Sequence, residues 1–101
     1  MVRDYVIEAH VYALVDHLPV YRLWVDGELM CERTYWIDAN THFIKEQIIV
    51  ELEDSLPHTL ELERVTGTLW IGMVSIIDVE HGRTIQEHIL GETNTLTFRL
   101  S

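Results

Sequence analysis

The chain has 101 residues, with 7 basic against 17 acidic side chains, a formal net charge of -10 and 48% hydrophobic residues. That length suits a single domain over residues 1–101, and the apolar content is enough for a core without disulfide or metal staples. The acidity repels phosphate backbones and anionic lipid, so neither nucleic acid nor membrane is an expected partner.

A lone cysteine, Cys31, leaves no intrachain disulfide and no thiolate metal cluster, and it points to a reducing compartment. Met1 to Leu14 alternates polar and apolar residues and lacks the continuous apolar run of a signal peptide, which makes a cytoplasmic location the expectation. Apolar stretches elsewhere fall well short of the roughly 20 residues of a membrane helix.

Period two dominates the pattern. Tyr5, Ile7, Ala9, Val11 and Ala13 share one parity against Glu8 and His10, the signature of a half-buried strand. Asp16, His17 and Pro19 end it, and Val20–Val25 follows as a second strand. Asp26-Gly27 then specifies a two-residue type I′ turn, because both central residues need positive φ. In the simplest register Leu23 faces Met30, Val25 faces Glu28 and Trp24 lies opposite Leu29. Leu23, Val25 and Met30 then face the core while Trp24 faces away. The returning strand is expected over Leu29 to Trp36.

Residues Asp38 to His42 read as a loop, and Phe43 to Glu53 alternates again with Ile44, Ile48, Val50 and Leu52 in phase. An amphipathic helix over Lys45 to Leu52 is the rival reading there, disfavoured by the β-branched residues and the flanking turns. After Asp54 to Pro57, Leu60 and Leu62 point inward along His58 to Val65. Leu69 to Val79 is the most apolar segment and reads as a central strand, with Gly72 marking a bulge or a close approach. A weaker strand over Thr84 to Leu90 and a last one over Thr95 to Leu100 complete the chain. About eight strands at this spacing imply an all-β fold, an antiparallel β-sandwich or jelly roll.

No spacing announces catalysis. The six histidines form neither His-x-His nor His-x-x-x-His, and no G-x-S-x-G elbow activates a serine. Glu61 and Glu63 share an outward face about 7 Å apart, a separation compatible with paired carboxylates but ordinary for a solvated strand. Calcium is the cation that turn carboxylates and amides would suit, with Asp26, Asp38, Asn40 and Asp78 as candidate ligands. Trp24, Tyr21 and Trp36 are the candidate ligand-binding aromatics, able to stack on a sugar or anchor a protein contact.

Two resemblances follow from these residues. Val20 to Met30 (VYRLWVDGELM) with His58 to Val65 (HTLELERV) resembles the V-D-G strand end and the G-x-H-x-[IL] strand start of jelly-roll carbohydrate-binding modules of the calcium-dependent, xylan-binding type. Asp26, Gly27, His58 and Leu60 match; Pro57 stands near a usual turn glycine. The likeness covers under half the chain and implies glycan binding with calcium as cofactor. In size, acidity and paucity of cysteine the chain also resembles small all-β virion proteins of tailed bacteriophages. That implies a decoration, neck, tail or fibre-associated subunit, located in the virion, with homo-oligomer or virion neighbours as partners. The expectation is therefore a non-enzymatic assembly module, with a calcium-dependent carbohydrate-binding module as the alternative.

Overall fold

The computed structural model describes residues 1–14, 19–35 and 43–100, the side chains of residues 92–93 excepted. Trp36, Asp38 and Asn40 lie outside the described residues. Eight strands run β1 (Val2–Leu14), β2 (Val20–Val25), β3 (Glu28–Thr34), β4 (Ile44–Glu53), β5 (Pro57–Thr66), β6 (Thr68–Asp78), β7 (Arg83–Thr93) and β8 (Thr95–Arg99). They form two four-stranded antiparallel sheets, ordered β4-β1-β6-β7 and β3-β2-β5-β8. No helix among the described residues is long and apolar enough to cross a membrane.

Alternation decides which residues enter the core. Tyr5, Ile7, Ala9 and Val11 of β1 are buried, as are Ile48, Val50 and Leu52 of β4, Leu60 and Leu62 of β5, and Leu96 and Phe98 of β8. One cluster joins the inner residues of both sheets. Each fully buried aliphatic side chain in it stabilises the fold by about 1.5–3 kcal/mol before entropy is counted. Lys45 to Leu52 is strand, because β4 pairs with β1 from Val2↔Glu53 to Val11↔Ile44, which a helix could not do.

The β2–β3 hairpin turns through Asp26 and Gly27 at φ of 52° and 80°, both positive as the Asp-Gly pair requires. Its register differs from the simplest one beyond the turn. Trp24 faces Leu29 and Val25 faces Glu28, but Leu23 faces Cys31, not Met30. A bulge absorbs Met30. Met30 and Cys31 both pack against the core, and two successive residues can do so only where the alternation is broken. The strand also stops at Thr34, short of the expected Trp36, although Tyr35 continues inward as a fully buried residue.

Gly72 fulfils both expectations for it. The β1–β6 ladder passes from His10↔Met73 to Val11↔Ile71, and the β6–β7 ladder shifts at the same place, so Gly72 is the bulged residue. A Cβ on Gly72 would lie 2.4 Å from Cε2 of Tyr12. Tyr12 thus lies across β6 and stacks against Trp70, with ring centroids 5.9 Å apart.

Two polar contacts tie strands together. Glu46 points inward from β4 and is only 5% exposed; it accepts hydrogen bonds from the Tyr21 hydroxyl of β2 and from the Arg33 guanidinium of β3, Nη2 at 3.1 Å. Burial first, then the bond to Glu46, raise the Tyr21 phenol far above its ordinary value, so it stays a donor.

Gly72→Val is expected to lower stability by about 1–3 kcal/mol in denaturant unfolding, because the new side chain displaces the Tyr12 ring. In a Tyr12→Ala background the same substitution should cost markedly less. Equal costs in both backgrounds would mean that the Tyr12 contact is not the constraint.

Candidate functional site

The outward face of the β3-β2-β5-β8 sheet is polar around one indole. Trp24 pairs across the ladders with Leu29 and Glu61, and Arg22 with Glu32 and Glu63. Trp24 Nε1 donates to Glu63 Oε1 at 2.9 Å, Arg22 Nε donates to Glu32 at 2.7 Å, and Arg22 Nη1 lies 3.5 Å from Glu63. Trp24, Gly27, Thr59, Glu61 and Glu63 line an open depression of about 380 Å³. An indole beside carboxylate acceptors is a combination that can hold a hydroxylated ligand. Tyr21 does not join this face. Its parity is opposite, it is fully buried, and its hydroxyl is engaged by Glu46.

Of the candidate calcium ligands, Asp26 and Asp78 each serve a different turn. Both Asp26 oxygens serve the fold: Oδ1 accepts from the Thr59 amide at 2.8 Å and Oδ2 from His58 Nδ1 at 2.6 Å. Asp78 organises the β6–β7 turn, accepting from the Glu80 amide at 3.0 Å and from His81 Nδ1 at 2.7 Å. The His81 bond outweighs burial and holds the Asp78 carboxyl below its ordinary value. Asp38 and Asn40 lie outside the described residues. Among the described residues no group of three or more His, Cys, Asp or Glu side chains is placed to hold a metal ion.

His58 acts as a clamp. Its ring is 4% exposed and packs beside Phe98. Nδ1–H donates to Asp26 at the β2–β3 turn, and Nε2–H donates to the Glu53 carbonyl at 2.6 Å, at the end of β4. Both nitrogens face acceptors that carry no proton, so only the imidazolium satisfies both. Burial lowers the His58 pKa, but the bonds to Glu53 and Asp26 together outweigh it and raise the value above 6.5.

The opposite outer face, on the β4-β1-β6-β7 sheet, carries apolar rows on either side of a polar one, and sequence reasoning did not single it out. One row crosses the sheet as Ile49–Val6–Ile77, with Ile85 bulged beside Ile77. Two residues along the strands lies a polar row, Gln47–Glu8–Ser75–Glu87, where Lys45 Nζ sits 3.0 Å from Glu8. Beyond it come Lys45–His10–Met73–Ile89 and then Tyr12–Trp70. Phe43 extends the aromatic end, 4.5 Å from His10 and 5.3 Å from Tyr12 between ring centroids. Ile49 is 76% exposed and Ile89 87%. The available signal was the apolar content of both parities in β1 and β6, the pattern of strands covered on both faces.

The chain matches no family model, no curated protein and no solved structure in the comparisons made with each.

The His58 clamp sets a pH dependence. A pKa raised on folding contributes stability that is complete below about 6.5, the value for a free histidine, and is lost as pH rises through the folded value. Melting temperature should therefore fall between about pH 6 and pH 8. His58→Gln should be less stable at pH 6 by about 1–3 kcal/mol and should flatten that slope. An unchanged slope in His58→Gln would assign the titration to another group.

Proposed function

We propose that this chain is a non-enzymatic assembly module that covers the outer face of its β4-β1-β6-β7 sheet with a neighbouring protein subunit. The observation that carries this reading is the exposure of Ile49 and Ile89 on a face that also bears Val6, Ile77 and Met73, with the polar row of Gln47, Glu8, Ser75 and Glu87 between the two apolar rows. Large apolar side chains left exposed on one sheet face are a mark of a contact surface. The reading takes the two sheets as the layers of a sandwich. Its finer assignment as a jelly roll draws on the connectivity, since only the β2–β3 and β6–β7 connections stay within one sheet. A virion subunit is the concrete form of the proposal and draws on the chain's size, acidity and small cysteine content. The polar groups fit a structural role: Asp26, Glu46 and Asp78 are all engaged in holding turns and strands.

A second reading, glycan binding, is favoured by the depression beside Trp24. Calcium belongs to that reading as its proposed cofactor, through Asp26, Asp38, Asn40 and Asp78, of which Asp38 and Asn40 lie outside the described residues.

For assembly, the wild-type chain should either self-associate in light scattering or bind an apolar fluorescent dye. Replacing Ile49 and Ile89 together by Lys should abolish whichever it shows, with stability changed by no more than about 0.5 kcal/mol. A chain that is monomeric at every concentration and binds no dye at this face would overturn the proposal. For glycan binding, Trp24→Ala should remove retention on immobilised xylan, and calcium should raise the melting temperature. No retention of the wild type dismisses the second reading.

A further inference from the structure

From the groups left without partners around Trp24, we infer that the depression there selects a cationic amino sugar, a pyranose carrying a protonated amine, over neutral and acidic sugars. This rests on the glycan reading above and names its ligand class.

Most polar groups at the site are already bonded within the sheet. The Trp24 indole N–H is taken by Glu63, so the ring offers a ligand its π face and no donor. Arg22 Nε donates to Glu32 at 2.7 Å and Nη1 lies 3.5 Å from Glu63, so the one nearby cation is compensated. Glu61 differs. It stands directly opposite Trp24 across the β2–β5 ladder, it is exposed, and it has no hydrogen-bond or ion-pair partner among the described residues. Thr59, two residues along β5, presents a hydroxyl on the same outward side. The described residues that line the hollow, Trp24, Gly27, Thr59, Glu61 and Glu63, include no cationic side chain.

What remains selects the ligand. A carboxylate only accepts, and an indole face attracts positive charge. A protonated amine is a donor and a cation at once, so it answers both. A uronic acid would bring a like charge into the field of a chain of net charge -10 and is repelled. A neutral sugar can donate a hydroxyl to Glu61 but has no charge to set against it. A lysine side chain carries its ammonium on a slim four-carbon stem, which leaves most of a hollow of about 380 Å³ to water and leaves Thr59 unused. A sugar ring instead covers the indole with its C–H face while its hydroxyls reach Thr59.

The strength of the preference follows from exposure. A surface ion pair and a surface cation–π contact each raise affinity by a factor of about 2–5. Together they give a preference of about tenfold over the matched neutral sugar, and salt reduces it.

Titration of the whole chain with a glucosamine trimer, its N-acetylated counterpart and a xylose trimer tests this, at about pH 6, where an amine is protonated. The readout is the indole N–H resonance that is missing from the spectrum of Trp24→Ala. The glucosamine trimer should bind about tenfold more tightly than either neutral trimer, and raising sodium chloride from about 50 to 500 mM should remove most of the difference. Glu61→Gln keeps the shape and removes the charge. It should cut the preference to about threefold and leave the neutral trimers within about twofold of their original affinity. The fold does not depend on this carboxylate, which is exposed and unbonded. Equal binding of the charged and N-acetylated trimers overturns the inference and leaves the glycan reading standing, as does a preference that Glu61→Gln leaves unchanged. Tighter binding of Nα-acetyl-lysine amide than of the glucosamine trimer assigns the depression to a basic peptide and overturns the amino sugar. No shift of the Trp24 resonance with any sugar overturns both the inference and the glycan reading.

Discussion

A two-layer β structure can bury only one face of each sheet within itself, and every other property of this protein follows from that limit. The inner faces are filled by residues of one parity, such as Tyr5, Ile7, Ala9 and Val11 of β1 and Leu60 and Leu62 of β5. Whatever stands at the other parity meets water or a partner. On the β3-β2-β5-β8 sheet those positions hold Arg22, Trp24, Glu61 and Glu63, which water accepts. On the β4-β1-β6-β7 sheet they hold Val6, Ile49, Ile77 and Ile89, whose exposure to water is unfavourable, together with the polar Gln47, Glu8, Ser75 and Glu87.

Two polar clamps give this simple layering a definite geometry. Glu46 enters the row of Ile48 and Val50 and draws in Tyr21 and Arg33, so it connects β4 of one sheet to β2 and β3 of the other. His58 connects the Asp-Gly turn to the end of β4 in the same way. Burying such groups is costly unless each is fully bonded, and no buried side-chain nitrogen or oxygen among the described residues lacks a partner. The clamps contribute less to net stability than to choosing one relative placement of the strands. A slipped register would leave Glu46 or His58 buried without its partners. Asp26, Gly27 and His58 thus have a structural use: they hold a turn.

Charge is present on both outer faces. Glu32, Glu61 and Glu63 stand with Arg22 on the Trp24 side, and Asp4, Glu8, Glu51 and Glu87 with Lys45 on the other, where Lys45 pairs with Glu8. The two faces differ in their apolar side chains, not in the sign of their charge.

Much of this was legible in the sequence. Parity assigned the inward residues of β1, β4 and β5. Asp26-Gly27 located the hairpin, because few residue pairs tolerate two positive φ angles, and Gly72 marked the bulge beneath Tyr12 because only a missing Cβ admits the ring. Those are local constraints, carried by a residue and its near neighbours. The bulge at Met30 was not legible, since an inserted residue changes pairing without changing composition. Nor was the ligand-facing role assigned to Tyr21, which lost its exposure to a partner 25 residues away. The apolar outer face became visible only when strands far apart in the chain were set side by side. Val6, Ile49, Ile77 and Ile89 are scattered residues in the sequence, and only the sheet order and register make them one surface. Local periodicity determined that the chain folds as strands and which way most side chains point; tertiary pairing, which brings distant residues into one row, decided which side chains share an outer face.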